Sequence, residues 1–274
     1  MRIEPGKDFE IVNPEKDDRY REYWTDYHAI MERRGVSPDT AKIMVRTRTS
    51  VIAAVMVYRN EADALITGVV GRYRKKLEDV IDVIGKQEGA GVVAAMGALS
   101  TPEGAYFICD TNVNSNPTAR EIAEITIMAS EKVKMFGLKP RIALLSHSSF
   151  GSHRDDSARK MKEALDILRE QSPQLEIEGE MTAEMALNEE YRTQLFPNSR
   201  LQGPANLLVA PNLDSAHIAF GLTRSISNAV GVGPILLGAG RPAHVLTPSV
   251  TARRIMNMTA IAVVDAQVFD RAAR

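Results

Sequence analysis

From residue 141 onward, short unbroken apolar runs alternate with longer segments of helical periodicity, and this rhythm confines the chain to a small set of folds. The runs are Arg141 to Leu145, Leu175 to Ile177, Asn206 to Ala210 and Pro234 to Gly238. The helical segments are Arg154 to Glu170, Met181 to Leu195, Asp214 to Ala229 and Thr251 to Asp270. Strands that are apolar throughout are buried on both faces, and intervening helices supply the crossovers. The pattern therefore predicts an α/β fold with a mostly parallel sheet sandwiched by helices. Ligands of such sheets sit beyond the carboxyl ends of the strands. The loops that follow are Thr67 to Lys76, Asp110 to Asn116, Ser146 to Arg154, Pro211 to Asp214 and Gly238 to Ser249.

The first half begins with helices. Tyr20, Tyr23, Trp24, Tyr27, Ile30 and Met31 recur at helical spacing between Asp18 and Arg34, and Gly35 is a stop signal. Ser37 at an N-cap and Pro38 at the first helical position open a second helix predicted to reach Tyr58. A strand over Ala64 to Val70 leads to a helix from Arg72 to Ile84. Gly91 to Leu99 and Ala105 to Asp110 flank the turn Thr101-Pro102-Glu103-Gly104 as a hairpin-like pair, before a helix from Pro117 to Phe136. A length of 274 residues exceeds the usual single domain. Two lobes are expected, 1–137 and 138–274, with the closing helix packing back onto the first.

Lys and Arg total 34 and Asp and Glu total 35, so the basic excess that non-specific nucleic-acid or anionic-membrane binding needs is missing. The single cysteine, Cys109, allows no disulfide within the chain and reads as a buried strand residue. The charged N-terminal stretch has no apolar core of a signal peptide, and no apolar run reaches the ~20 residues of a membrane span. A cytoplasmic location is expected. His147 and His153 have no carboxylate or cysteine at ligand spacing, so no metal site is predicted.

Ser146-His147-Ser148-Ser149-Phe150-Gly151-Ser152 joins a strand to a helix. Its hydroxyls and backbone N–H groups suit a phosphate or carbonyl cradle, and equally an N-cap in a polar turn. Asp214 reads as a helix cap. The cluster Arg72, Arg74, Lys75, Lys76 would hold phosphates or form a solvated helix face. Gly238-Ala239-Gly240-Arg241-Pro242, directly after a buried strand, suggests a backbone shaped around a ligand.

Taken in order, these loops resemble the phosphate acetyltransferase and phosphate butyryltransferase family, through IALLSHSSFGS, IEGEM, ANLLVAPNLDSAHIAF, GPILLGAGRP and MTAIAVVDA. The resemblance implies a two-lobed α/β fold with isocitrate/isopropylmalate dehydrogenase-like architecture and a cleft between the lobes. It further implies acetyl transfer between coenzyme A and phosphate without metal or covalent intermediate, and dimers. The ligand residues it implies are Ser146, Ser148, Gly151, Ser152, Asn212, Gly238, Arg241, Pro242 and Thr247. Where active members carry L-S-R-G and, several residues on, an aspartate, this chain has Leu246-Thr247-Pro248-Ser249 and Arg254. A further family arginine aligns with Glu78, with Arg72 or Arg74 as alternatives for its role. Proline donates nothing to phosphate, and an arginine is no base at neutral pH.

These departures resemble a subgroup, the acetyltransferase-like C-terminal domain of bacterial NADP-dependent malic enzymes. RRGVSPDTAK, GVVGRYRKKL and HVLTPSVTARRIMNMTA carry that likeness. It implies an acetyl-CoA-binding regulatory and oligomerisation domain with silenced transfer chemistry and an incomplete first lobe. NADP and a divalent metal would belong to an N-terminal malic enzyme domain of the same polypeptide, and the assembly would be a homodimer or larger. The alternatives are an active acyltransferase and a purely structural dimerisation module.

Overall fold

In the computed structural model, which describes residues 4–272, the predicted alternation builds one six-stranded sheet and a separate two-stranded one. The large sheet has the order β5 (Glu176–Met181), β4 (Arg141–Leu145), β6 (Leu207–Val209), β3 (Gly104–Cys109), β2 (Ala94–Thr101), β7 (Val230–Leu237). β5, β4, β6 and β3 are mutually parallel, whereas β2 runs against both β3 and β7. The hairpin expected around Thr101 is present, with Met96 opposite Cys109. The small sheet pairs β1 (Leu65–Thr67) in parallel with β8 (Ala243–Val245), Leu65 beside Ala243.

Alternation along the central strands serves two cores at once. Met96, Phe107, Cys109, Ile142, Leu144, Leu207 and Val209 point to one face. There they meet α5 (Ala119–Met135), α6 (Asp156–Gln171) and α10 (Ala252–Ala272), through Ile122, Met161 and Met258 among others. Leu99, Ile108, Ala143 and Leu208 point the other way, toward α7 (Ala183–Leu187) and α9 (Leu213–Ile226). Each such side chain, buried outright, contributes about 1.5–3 kcal/mol. A third core lies under α1 (Tyr20–Met31), α2 (Pro38–Thr47), α3 (Thr49–Tyr58) and α4 (Tyr73–Ile84). Tyr23, Tyr27, Val45, Val55 and Val80 cover Leu65, Leu236 and Val245 there.

Three predicted elements differ. The helix expected from Ser37 to Tyr58 is broken at Arg48, whose backbone is extended (φ −115°, ψ 100°). The break lets Arg48 Nη1 and Ser50 Oγ both donate to the buried Asp79 of α4, at 2.9 and 2.6 Å. Met181 ends a strand rather than opening a helix, and the helix that follows is split at Asn188 into α7 and α8 (Glu189–Leu195). β5 is longer than its apolar run because Glu178 and Glu180, both buried, carry their own hydrogen-bond partners. β8 was not foreseen. The boundary expected at residue 137 runs through the large sheet, since β2 and β3 precede it and β4, β5 and β6 follow it. α10 lies on β7 and on both strands of the small sheet. Among the described residues, no helix is long and apolar enough to cross a membrane.

Candidate functional site

A cavity of about 900 Å³ lies between α4, the loop after β3 and the start of α9. Its floor is the amide-rich loop Asn112 to Asn116, held by the buried carboxylate of Asp110. That carboxylate accepts from the N–H groups of Ala95, Asn112, Val113 and Asn114 and from Asn114 Nδ2, at 2.6–3.1 Å. Burial raises its pKa above the ordinary carboxylate value against the pull of those donors. Lys160 ties this loop to the one after β6, donating to Asn116 Oδ1 and the Pro211 carbonyl at 2.7 Å each. Burial lowers its ammonium pKa. His217, on the wall, directs Nδ1 at the Thr111 carbonyl, 3.0 Å away, and so carries its proton on that nitrogen.

The charge of this cleft is the reverse of what a polyphosphate needs. Glu78, Asp82, Glu121 and Asp214 line it, with Arg74 as its one lining Lys or Arg among the described residues. Arg74 is itself bridged to Glu78 at 3.5 Å. The basic cluster at the start of α4 is largely a solvated helix face, with Lys75 bridged to Glu78 and Asp79 and Lys76 donating to Ser50 Oγ.

The residues singled out from sequence do not converge on one place. Ser148 is fully buried, and the cradle of its loop is filled by the chain itself. Glu180 Oε1 accepts from Ser148 Oγ at 2.8 Å and from the Gly151 N–H at 2.7 Å. Ser146 Oγ accepts from the Ser148 N–H, and Ser152 Oγ from that of Ser149, which makes the loop a self-satisfied turn. His147 Nε2 contacts Asp155, the actual N-cap of α6, at 2.9 Å. Asn212 caps α9 by accepting from the Ser215 N–H at 2.9 Å, the role that Asp214 was expected to play.

Gly238, Arg241 and Pro242 line a different cavity of about 620 Å³ between α5 and α10, where the Arg241 guanidinium lies over the Phe269 ring. The two glycines of that loop are required by the protein's own backbone. A Cβ on Gly238 (φ +76°) would stand 2.7 Å from the Val92 carbonyl oxygen, and one on Gly240 2.5 Å from that of Ile84. Beside this cavity Lys132 pairs with Asp265 at 2.6 Å, and His244 Nε2 makes an oblique 3.1 Å approach to the same carboxylate. Burial raises the pKa of Asp265, but His244 and the Lys132 charge outweigh it and hold the group below its ordinary value.

Thr247 is half-buried with its hydroxyl 3.1 Å from Ser249 Oγ, and Pro248 is exposed. Arg254 projects from the first turn of α10 beside Arg224. Burial and that neighbouring cation both lower its pKa. Glu180, Asp110, Lys160 and Arg224 were not foreseen as site residues. Only Asp110, followed by Thr111-Asn112-Val113-Asn114, carries a local signal, that of an aspartate closing a turn on its own downstream N–H groups. Among the described residues, no group of three or more His, Cys, Asp or Glu gathers to hold a metal.

A mostly parallel sheet, a helical layer over a paired β1–β8 ribbon and a cleft between them place the chain in the phosphotransacetylase class of folds. A phosphotransacetylase of Streptococcus pyogenes superposes with a TM-score of 0.87 at 26% identity, over 95% of this chain and 79% of that one. The chain belongs to the phosphate acetyl/butaryl transferase family, whose sequence profile matches residues 1–263. It is 50% identical over 265 residues to the NAD-dependent malic enzyme of Rhizobium meliloti, covering 97% of this chain and 34% of that protein. It is also 50% identical over 268 residues to the NADP-dependent malic enzyme of Escherichia coli, covering 97% and 35%. The chain therefore spans about a third of the length of these relatives.

Proposed function

We propose that this chain is a catalytically silent phosphotransacetylase-like domain that binds acetyl-CoA and regulates, and helps to assemble, a malic enzyme. The observation that carries the reading is the chemistry at the positions where the family places its transfer residues. Pro248 replaces a guanidinium by a ring with no donor, Arg254 replaces a carboxylate base by a cation, and Glu78 replaces an arginine. Thr247 retains a hydroxyl, but its partner is Ser249. Proton removal from a thiol needs an acceptor with a pKa near neutrality, and no guanidinium meets that condition.

Binding survives what transfer does not. The cleft falls within the roughly 300–1,000 Å³ of small-molecule sites. Its asparagine floor and the apolar walls from Leu77, Ile81 and Val113 suit an uncharged amide-bearing arm better than phosphate. A ligand that prefers one quaternary arrangement shifts an attached enzyme towards that state by its differential affinity alone. NADP and a divalent metal belong, on this reading, to the malic enzyme portion.

The test pairs calorimetry with a transfer assay. Acetyl-CoA should bind saturably, yet no thiol should appear when phosphate is added. Turnover that disappears in Thr247→Ala would refute the silence and favour a working acyltransferase. Absence of both binding and turnover would leave only a structural module.

A further inference from the structure

The structure assigns a phosphate-binding site to Arg224, Arg253 and Arg254, in a separate pocket of about 380 Å³ at the start of α10. The three guanidinium groups come from the last turn of α9 and the first turn of α10, joined by Ser249, Thr251 and Asn257. No carboxylate lines this pocket, and among the described residues none stands within 4 Å of any of the three arginines' charged nitrogens. Arg224 and Arg254 are half-buried and close enough to repel one another. Like charges held together in a partly desolvated place cost free energy that a bound anion would recover.

Two details show that the backbone accommodates this convergence. Gly231 of β7 lies directly beneath it. A Cβ there would stand 3.0 Å from Arg224 Cδ and 3.1 Å from an Arg254 Nη, so a larger residue would push against both side chains. The first turn of α10 adds the positive end of the helix dipole, its Arg254 N–H donating to Thr251 Oγ1 at 3.4 Å. Planar forked donors match tetrahedral phosphate oxygens two at a time. The guanidinium lost at Pro248 thus returns a turn further along, at Arg254. There it holds an anion and abstracts no proton.

This site does not depend on acetyl-CoA being the effector, and its test separates the two ideas. Pyrophosphate is titrated calorimetrically into the protein at low ionic strength. One-to-one binding is expected, weakened tenfold or more in Arg224→Gln and in Arg254→Gln and unchanged in Arg74→Gln, which alters the acidic cleft instead. Melting in buffer free of phosphate and sulfate gives a second reading. Relief of repulsion should leave Arg254→Gln at least as stable as the parent chain, and pyrophosphate should raise the melting temperature of the parent alone. Failure of pyrophosphate to bind, undiminished binding in both Arg224→Gln and Arg254→Gln, or a lower anion-free melting temperature in Arg254→Gln would overturn the assignment. Adenosine 3′,5′-bisphosphate and acetyl-CoA form the remaining arms. Pyrophosphate binding without acetyl-CoA binding leaves this site standing and removes the effector reading. Acetyl-CoA binding without pyrophosphate binding removes this site and leaves the effector reading standing.

Discussion

Removing the carboxylate that fills the Ser146–Ser152 loop should be among the most damaging single changes in the chain. Glu180 is 2% exposed, and its Oε1 alone takes the Ser148 hydroxyl and the Gly151 N–H. A hydrogen bond to a charged acceptor contributes about 1.5–3 kcal/mol, and a buried donor left without a partner costs a similar amount. Glu180→Ala therefore loses roughly 3–6 kcal/mol, a large share of the 5–15 kcal/mol typical of a folded protein. Because both bonds meet at one oxygen, Glu180→Gln keeps them through its carbonyl and loses only the charge assistance, about half as much. Urea unfolding followed by far-ultraviolet circular dichroism measures both values. Saturating sulfate should recover part of the loss in Glu180→Ala, where the emptied cradle presents two donors to an anion, and none in the parent chain. Two variants that both stay within 1 kcal/mol of the parent would show that the loop holds itself without Glu180.

Other changes have equally definite outcomes. Asp265→Asn breaks the pair with Lys132, 13% exposed, at a cost of about 3 kcal/mol at pH 7. The native carboxyl is held below its ordinary pKa, so its stabilisation is present above roughly pH 4 and fades as the pH falls through the folded value. Unfolding curves of the two proteins should accordingly converge in acid. Arg192, fully buried, donates to the carbonyls of Met185, Ala186, Leu201 and Gly203. Arg192→Met strips the carbonyls of Met185, Leu201 and Gly203 of this donor, that of Ala186 keeping the Ala205 N–H, and should cost about 3 kcal/mol or more by thermal melting. Gly240→Ala puts a methyl against the Ile84 carbonyl and should cost about 1–3 kcal/mol, with the largest loss of amide-exchange protection at the end of α4.

Legibility from sequence followed the range of the forces involved. Ser37 and Pro38 announce α2 because capping is decided within one turn, and the apolar runs of β4, β6 and β7 announce themselves because burial on both faces leaves no polar positions. β5 was clipped at Ile177 because Glu178 and Glu180 read as surface residues until their partners, Arg169 and the Ser148 loop, are seen. The break at Arg48 answers to Asp79, 31 residues ahead, which no local pattern reveals. Of the candidate site, the loops at the strand ends were found but their occupants were not. The Ser146 loop is closed by a strand far along the chain, and the Gly238–Pro242 glycines yield to the backbone of Val92 and Ile84. The arginine pocket was hidden for the same reason, being assembled from two helices that β7 and β8 separate in the chain.

The ribbon made by Leu65–Thr67 and Ala243–Val245 sets a clock on biosynthesis. Tyr23, Val45, Val55 and Val80 emerge early, yet Leu236 and Val245, which complete their core, are about 180 residues downstream. At 5–20 residues per second a ribosome needs roughly ten to forty seconds to supply them. For that interval the first four helices leave a greasy underside uncovered, the kind of surface that makes folding intermediates prone to aggregate.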